Sequence, residues 1–420
     1  MSANSMISKL RESIPPETRR DLWNVYDKGI ARAGLKTARL GSKKARAAAT
    51  ATTADASPLF VLTAAFGSMG DQALAAGSLE LARLKGWSAH ALVPGDARPW
   101  HDVGITETST LDTWNSLVLR RVSDSGWRQL PTRDVYVIGA DVIDGRYDHG
   151  AVSLRVQLLN AAASIGKTAK LINFSLSTAP TKASLALLRG LAPAVELWAR
   201  DEPSQARGEQ LLQRSIGLAP DVGAFLKPNG GPRVDALVAA DQRIPIVLVP
   251  NAHMSTDFGV GRSELLQYWH DLAEALVGDG ERVVLMPHDT RAYPDDPGFC
   301  QELSDKLSAS GSEVELFVPE HGAQAKAVAA TARLLIGARM HACVGSLSVG
   351  TPTLGLDYLD KFAGQFAWFG GHGIASPFDA TVTAADSLAS ARKLLAGARG
   401  PSNALSADKV GWLDVCGQSR

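Results

Sequence analysis

From Leu59 onward, short apolar runs alternate with longer segments in which apolar residues recur at helical spacing. LFVLTAAF (59–66), SAHALV (88–93), VYVIGA (135–140), AKLINFSLS (169–177) and VELWAR (195–200) read as strands. Helices are predicted over 71–86, 151–166 and 183–192, with another running to Ile216. The period breaks at LKPNGGPR (226–233), whose prolines and glycines suit an interdomain linker. It then restarts. IPIVLVP (244–250), RVVLMP (282–287), EVELFVP (313–319), ARLLIGA (332–338) and TPTLGLDY (351–358) read as strands, each leading into a helical segment, and a terminal helix is predicted over 384–397. Continuous apolar strands separated by helices specify parallel sheets covered on both faces. The pattern therefore predicts an α/β protein with two similar domains, 57–230 and 231–420, and a cleft between them.

Residues 1–56 read differently, as a basic helical arm and linker. Between Lys9 and Arg46 eleven Lys and Arg stand against four acids. Leu22, Tyr26, Ile30 and Ala33 repeat at helical spacing beneath that basic face, and Pro16 suits a first helical turn. The segment reads either as a helix packed on its own domain or as a surface attracted to anionic lipid, giving peripheral membrane contact through residues 1–46. The run AAATATTADASP (47–58) reads as a linker.

Composition narrows the function class. The formal net charge is zero, which argues against coating nucleic acid by bulk charge. Cys300, Cys343 and Cys416 lie far apart with no CxxC pair, so neither a zinc ribbon nor a disulfide scaffold is expected. No run approaches the ~18 apolar residues of a membrane-spanning helix, and no secretory signal is recognisable. A cytoplasmic location is expected, with the inner face of the membrane as a peripheral option.

Ligands of open parallel sheets bind beyond the carboxyl ends of the strands, where helix N-termini present free N–H groups. The polar residues that follow the predicted strands are therefore the candidates. In the first half these are Ser68, Gly70 and Asp71 within GSMGD, Asp141 after VYVIGA, and Arg200 after VELW. In the second half His288 follows the second strand, and Arg339 and His341 follow the fourth. Asp71 either caps its helix or reaches a substrate. Arg339 and His341 stand at a strand-to-helix junction, a setting that favours a bound phosphate or carboxylate, with arginine as a bidentate fork and histidine able to move a proton near neutral pH. His253 and His321 read as loop or surface histidines, and Cys343 as a packed thiol. No metal-ligand spacing appears.

The stretch ARLLIGARMHACVGSLSVGTPTLGLDYLDKF (332–362) is similar to the C-terminal signature of the polysaccharide pyruvyl transferase family. It carries Arg339, His341, Gly350, Pro352, Tyr358 and Lys361 in the family's order. VLMPHD (284–289), WARDEPS (198–204), PDVGAF (220–225) and FGSMGDQAL (66–74) resemble further family elements. Ser68, Gln72 and Gly139-Ala140-Asp141 depart from the usual residues of that pattern.

The resemblance implies two Rossmann-like domains in a glycosyltransferase-B-like arrangement, with the acceptor on the N-terminal and phosphoenolpyruvate on the C-terminal side. It implies transfer of pyruvate from phosphoenolpyruvate to hydroxyls of a glycan or lipid-linked sugar as a ketal, without a cofactor or metal. His341 would move the protons, Asp71 would orient the acceptor, and Arg339, His288 and Lys361 would hold the donor, with Ser68, Gly70, Asp141 and Arg200 also contacting substrate. Two alternatives share the fold: a nucleotide-sugar-dependent glycosyltransferase and a catalytically silent glycan-binding homologue.

Overall fold

The structure is a computed structural model that describes residues 16–49, 58–63, 66–93, 96–106, 108–111, 113–115, 120–129, 134–146, 148–257, 260–293, 295–379, 381–397 and 405–413. Contacts divide the chain into two compact units. The first draws on Met1–Ala64, Ala82–Ala219 and Val410–Arg420, and the second on Ala65–Leu81 and Pro220–Lys409. Residues 65–81, expected in the N-terminal domain, thus group with the second unit.

The first unit is built on strands β1 (Leu59–Val61), β2 (His90–Val93), β3 (Thr108–Thr110), β6 (Val135–Ala140), β7 (Ala169–Phe174), β8 (Glu196–Ala199) and β9 (Gly217–Leu218). They form one parallel sheet in the order β3-β2-β1-β6-β7-β8-β9, and a small antiparallel ribbon joins β4 (Thr113–Asn115) to β5 (Arg120–Val122). Every residue of β6 and β7 is buried, which is why β6 reads as an unbroken apolar run and β7 as one interrupted only by the buried Lys170 and Asn173.

Helix α1 (Pro16–Ala49) belongs to this unit. Ile30, Ala31, Thr37, Ala38 and Ala45 are buried, while Lys28, Arg32, Lys36, Arg39 and Lys43 are exposed. It packs on α3 (His149–Ser164) and α4 (Lys182–Arg189). Of the expected linker, 47–49 continue α1 and 50–57 lie outside the described residues.

The second unit holds β10 (Ile246–Val249), β11 (Val283–Leu285), β12 (Glu315–Leu316), β13 (Leu334–Gly337), β14 (Thr353–Asp357) and β15 (Gly373–Pro377). Their order is β12-β11-β10-β13-β14-β15, all parallel. Numbered within the unit this is 3-2-1-4-5-6, the doubly wound order whose switch point lies between its first and fourth strands, here β10 and β13. Three helices concern the site: α5 (Asp296–Ala309), α6 (Gly322–Thr331) and α7 (Met340–Ser348). A further helix, α2 (Met69–Leu84), also reaches the site, and its Met69 joins the apolar core beneath this sheet.

Candidate functional site

The loop that starts α2 is stitched to the chain following β11. The Met69 N–H donates to the His288 carbonyl (3.2 Å), the Thr290 N–H donates to the Gly67 carbonyl (2.9 Å), and Ser68 bridges Asp289 in antiparallel fashion. Ser68, not Asp71, caps the helix: its Oγ accepts from the Asp71 N–H at 3.2 Å. Asp71 stands in the first turn, half-buried, close enough to Arg291 to favour the charge of that guanidinium.

His341, in the first turn of α7, is held between two elements. A Cβ added at Gly70 would lie 2.5 Å from its Nδ1, so only glycine allows α2 to approach the ring this closely. On the other side the buried Asp221 carboxylate faces its Nε2 at 3.6 Å. Gly77 fixes this spacing further along α2, where any Cβ would collide with the Val222 carbonyl at 1.9 Å. Asp221 itself accepts from the Gly223 N–H, which sets the turn that follows.

Arg339 is the N-cap of α7 and contributes no side-chain cap to it. The expected open anion fork is corrected here. The Arg339 Nε and Nη2 donate to the two oxygens of the fully buried Asp296 at 2.8 and 2.6 Å, and Nη1 lies 3.7 Å from Asp289. Burial works against the guanidinium charge, and Asp296 and Asp289 more than restore it, so its pKa is raised. Asp289 also takes a two-point bond from Arg291. Burial opposes the Asp289 charge, but the two arginines win and its carboxyl titrates low.

His288 is 7% exposed. Burial, with Arg339 and His341 nearby, pushes its pKa down to about 3, so the imidazole is neutral at physiological pH. Burial also explains Cys343, whose thiol bonds the Gly337 carbonyl and is raised out of reach of ionisation. His321 caps α6 through its Nδ1.

The remaining candidates stand elsewhere. Lys361 precedes a short helix and is half-buried, its N–H donating to Asp357. Asp141 and Arg200 lie in the first unit. Arg200, expected to touch substrate, is 1% exposed and donates through Nε to Ser175 Oγ, while its neighbour Asp201 caps the helix Glu202–Leu212. Sequence reasoning gave no site role to Asp221 or Lys326. The signal for Lys326 was a lone lysine inside the small apolar run GAQAKAVAA. It is 6% exposed, and its ammonium donates to the Ala224 carbonyl at 2.7 Å. Burial alone pushes its pKa down to about 7.

His288, His341 and Lys326 line one small cavity of the second unit, together with Met69, Gly322 and Gly345. It lies at the carboxyl edge of the sheet, beside the β10–β13 switch point, where a doubly wound fold places its ligands.

The profile of the polysaccharide pyruvyl transferase family matches residues 99–360, well over half of the chain. The chain belongs to this family. It is therefore a transferase with a role in polysaccharide pyruvyl transfer. No curated protein matches it by sequence.

Among solved structures, this family member resembles the UDP-GlcNAc 2-epimerase of Methanocaldococcus jannaschii (TM-score 0.55, 10% identity, 85% of this chain and 97% of that one). It also resembles the Neisseria meningitidis UDP-GlcNAc 2-epimerase bound to UDP-GlcNAc (TM-score 0.51, 13% identity, 80% and 90%). At such identities the likeness is one of fold: two Rossmann-like parallel-sheet domains of the glycosyltransferase-B-like class.

Proposed function

We propose that this protein transfers the pyruvyl group of phosphoenolpyruvate to hydroxyls of a glycan or glycolipid precursor, forming a pyruvate ketal and releasing inorganic phosphate. The observation that carries this reading is His341, seated between Gly70 and Asp221 beside the neutral His288, in the first turn of a helix whose N-cap, Arg339, offers no capping side chain. The reaction needs one group that gives and takes protons, and donors for a phosphate and a carboxylate.

In this scheme His341 protonates the methylene carbon of the enol while a sugar hydroxyl adds at the adjacent carbon and gives up its proton. A second hydroxyl then displaces phosphate, closing the ketal. General acid–base catalysis of this kind contributes ~10²–10⁴-fold. Asp221 orients the imidazole. His288, being neutral, offers an N–H to the donor without adding charge. Asp71 orients acceptor hydroxyls beside the Ser68–Gly70 loop, and Lys361 serves as a charge partner. Arg339 acts through Asp296 and Asp289, fixing the start of α7, and is a positioning residue rather than a direct anion ligand. The scheme uses no resident metal or cofactor.

The test is phosphate release from phosphoenolpyruvate with a panel of glycan and lipid-linked acceptors. Release that is lost in His341→Gln supports the reading. Tight binding of a uridine nucleotide with no response to phosphoenolpyruvate replaces it with nucleotide-sugar transfer.

A lipid-linked acceptor would place the protein at the cytoplasmic membrane face, and the outward basic stripe of α1 suits that placement. Among the described residues no helix is long and apolar enough to cross a membrane.

A further inference from the structure

With Arg339 clamped by Asp296 and Asp289, the donor's negative charge needs another partner, and the cavity beneath His341 supplies one. Two donor-bearing side chains, Lys326 and His288, line it, and a third, Gln72, bonds its lining residue Gly322. Among the described residues the Lys326 ammonium makes a single hydrogen bond, to the Ala224 carbonyl, and no carboxylate approaches it. The neutral His288 side chain borders the same space. Gln72 is 3% exposed; its Oε1 accepts from the N–H of Gly322, a lining residue, and its Nε2 is buried without an acceptor. A buried ammonium with one carbonyl acceptor and no counter-charge, facing a cavity, has donor capacity and charge left for an anion. The small space that Lys326 and His288 border has room for about one water, which is also the size of one oxygen of an oxyanion.

We propose that this cavity seats an oxygen of an anionic group of the donor, a phosphate or a carboxylate, and that Lys326 is the cation that holds it. This rests on the donor reading above. Lys326 approaches along α6, with its Cγ 3.9 Å from where a Cβ of Gly345 would stand, and its stem fills the wall while the amine stays at the turn that carries Asp221. The ionisable groups lining the cavity are Lys326, His288 and His341, with Asp221 behind His341. An anion arriving there favours the protonated amine, so binding above neutral pH takes up a proton from solvent.

The experiment titrates the purified full chain calorimetrically with phosphoenolpyruvate, inorganic phosphate and pyruvate as separate arms. Titrations are run at pH 8 in two buffers of different ionisation enthalpy, for wild type, Lys326→Met and Lys326→Gln. Expected is at least a tenfold weaker affinity for phosphoenolpyruvate in both variants, with proton uptake smaller than in wild type. The arm that weakens alongside, phosphate or pyruvate, identifies which group of the donor sits in the cavity. Melting curves monitor the fold, and Lys326→Gln keeps the test open if the methionine variant fails to fold. Wild-type affinity and proton uptake in a folded variant overturn the role of Lys326 and leave the donor reading intact. Wild-type protein that binds no arm and releases no phosphate overturns both.

Discussion

A histidine that moves protons must be held still, and here single atoms do the holding. Gly70 gives the His341 ring its room, and Asp221 faces its other edge. Gly70→Ala is expected to keep the melting temperature, since alanine favours a helix by ~1 kcal/mol over glycine, while lowering turnover at least tenfold because the new methyl displaces the ring. A folded Gly70→Ala protein with unchanged kcat contradicts this. Lys326 gives a prediction with a definite sign. Folded, its pKa lies near 7 rather than 10.5, so the unfolded chain binds a proton that the folded one does not, and stability is lost as pH falls from about 10.5 to 7. Lys326→Met therefore melts above wild type at pH 7, with the gap closing toward pH 10, as differential scanning calorimetry across that range would record.

At the scale of elements, the Arg339–Asp296 pair ties the start of α7 to the start of α5. Asp296 also accepts from the Ala252 N–H beyond β10, so three chain segments meet on one buried carboxylate. Removing one partner of a buried pair leaves an uncompensated charge and costs ~3–5 kcal/mol, whereas replacing both with apolar groups is often near neutral. Arg339→Ala is expected to lose stability of that order in denaturant unfolding, and Arg339→Met with Asp296→Leu to recover much of it. Recovery of stability without recovery of activity would mark the pair as a positioning device.

The whole molecule responds to pH and to charged surfaces. Unfolding lets His288 take up a proton near its ordinary pKa of about 6.5, whereas the folded site keeps it neutral down to about 3. Its stabilising contribution is full above pH 6.5 and is lost as pH falls toward 3. Melting temperatures of His288→Gln should accordingly fall less steeply than wild type between pH 6 and 4. Helix α1 turns Lys28, Arg32, Lys36, Arg39 and Lys43 outward along its length. Co-sedimentation with phosphatidylglycerol vesicles is expected at low salt and not with neutral vesicles. Reversing Lys28, Arg32 and Lys36 to glutamate should abolish it, because such attraction weakens with screening and with each lost charge.

The alternation of apolar runs and helical periods determined by itself that the chain forms two parallel-sheet α/β units, since doubly covered strands need unbroken apolar sequence. It also located His288, Arg339 and His341 at strand ends, because chain order alone places residues there. The short edge strands β3 and β15 escaped notice: their partly exposed residues give no apolar run, and GGHG hides the start of β15. Only the tertiary structure decided what each candidate touches. It gave Arg339 to Asp296, enclosed Arg200 within the first unit, carried the GSMGD loop into the second unit against His341, and placed Lys326 on the cavity wall. Such pairings join residues as far apart in the chain as Gly70 and His341, and sequence spacing carries no information about which of several buried groups will meet across that distance. Packing settles it, by the cost of leaving any one of them alone.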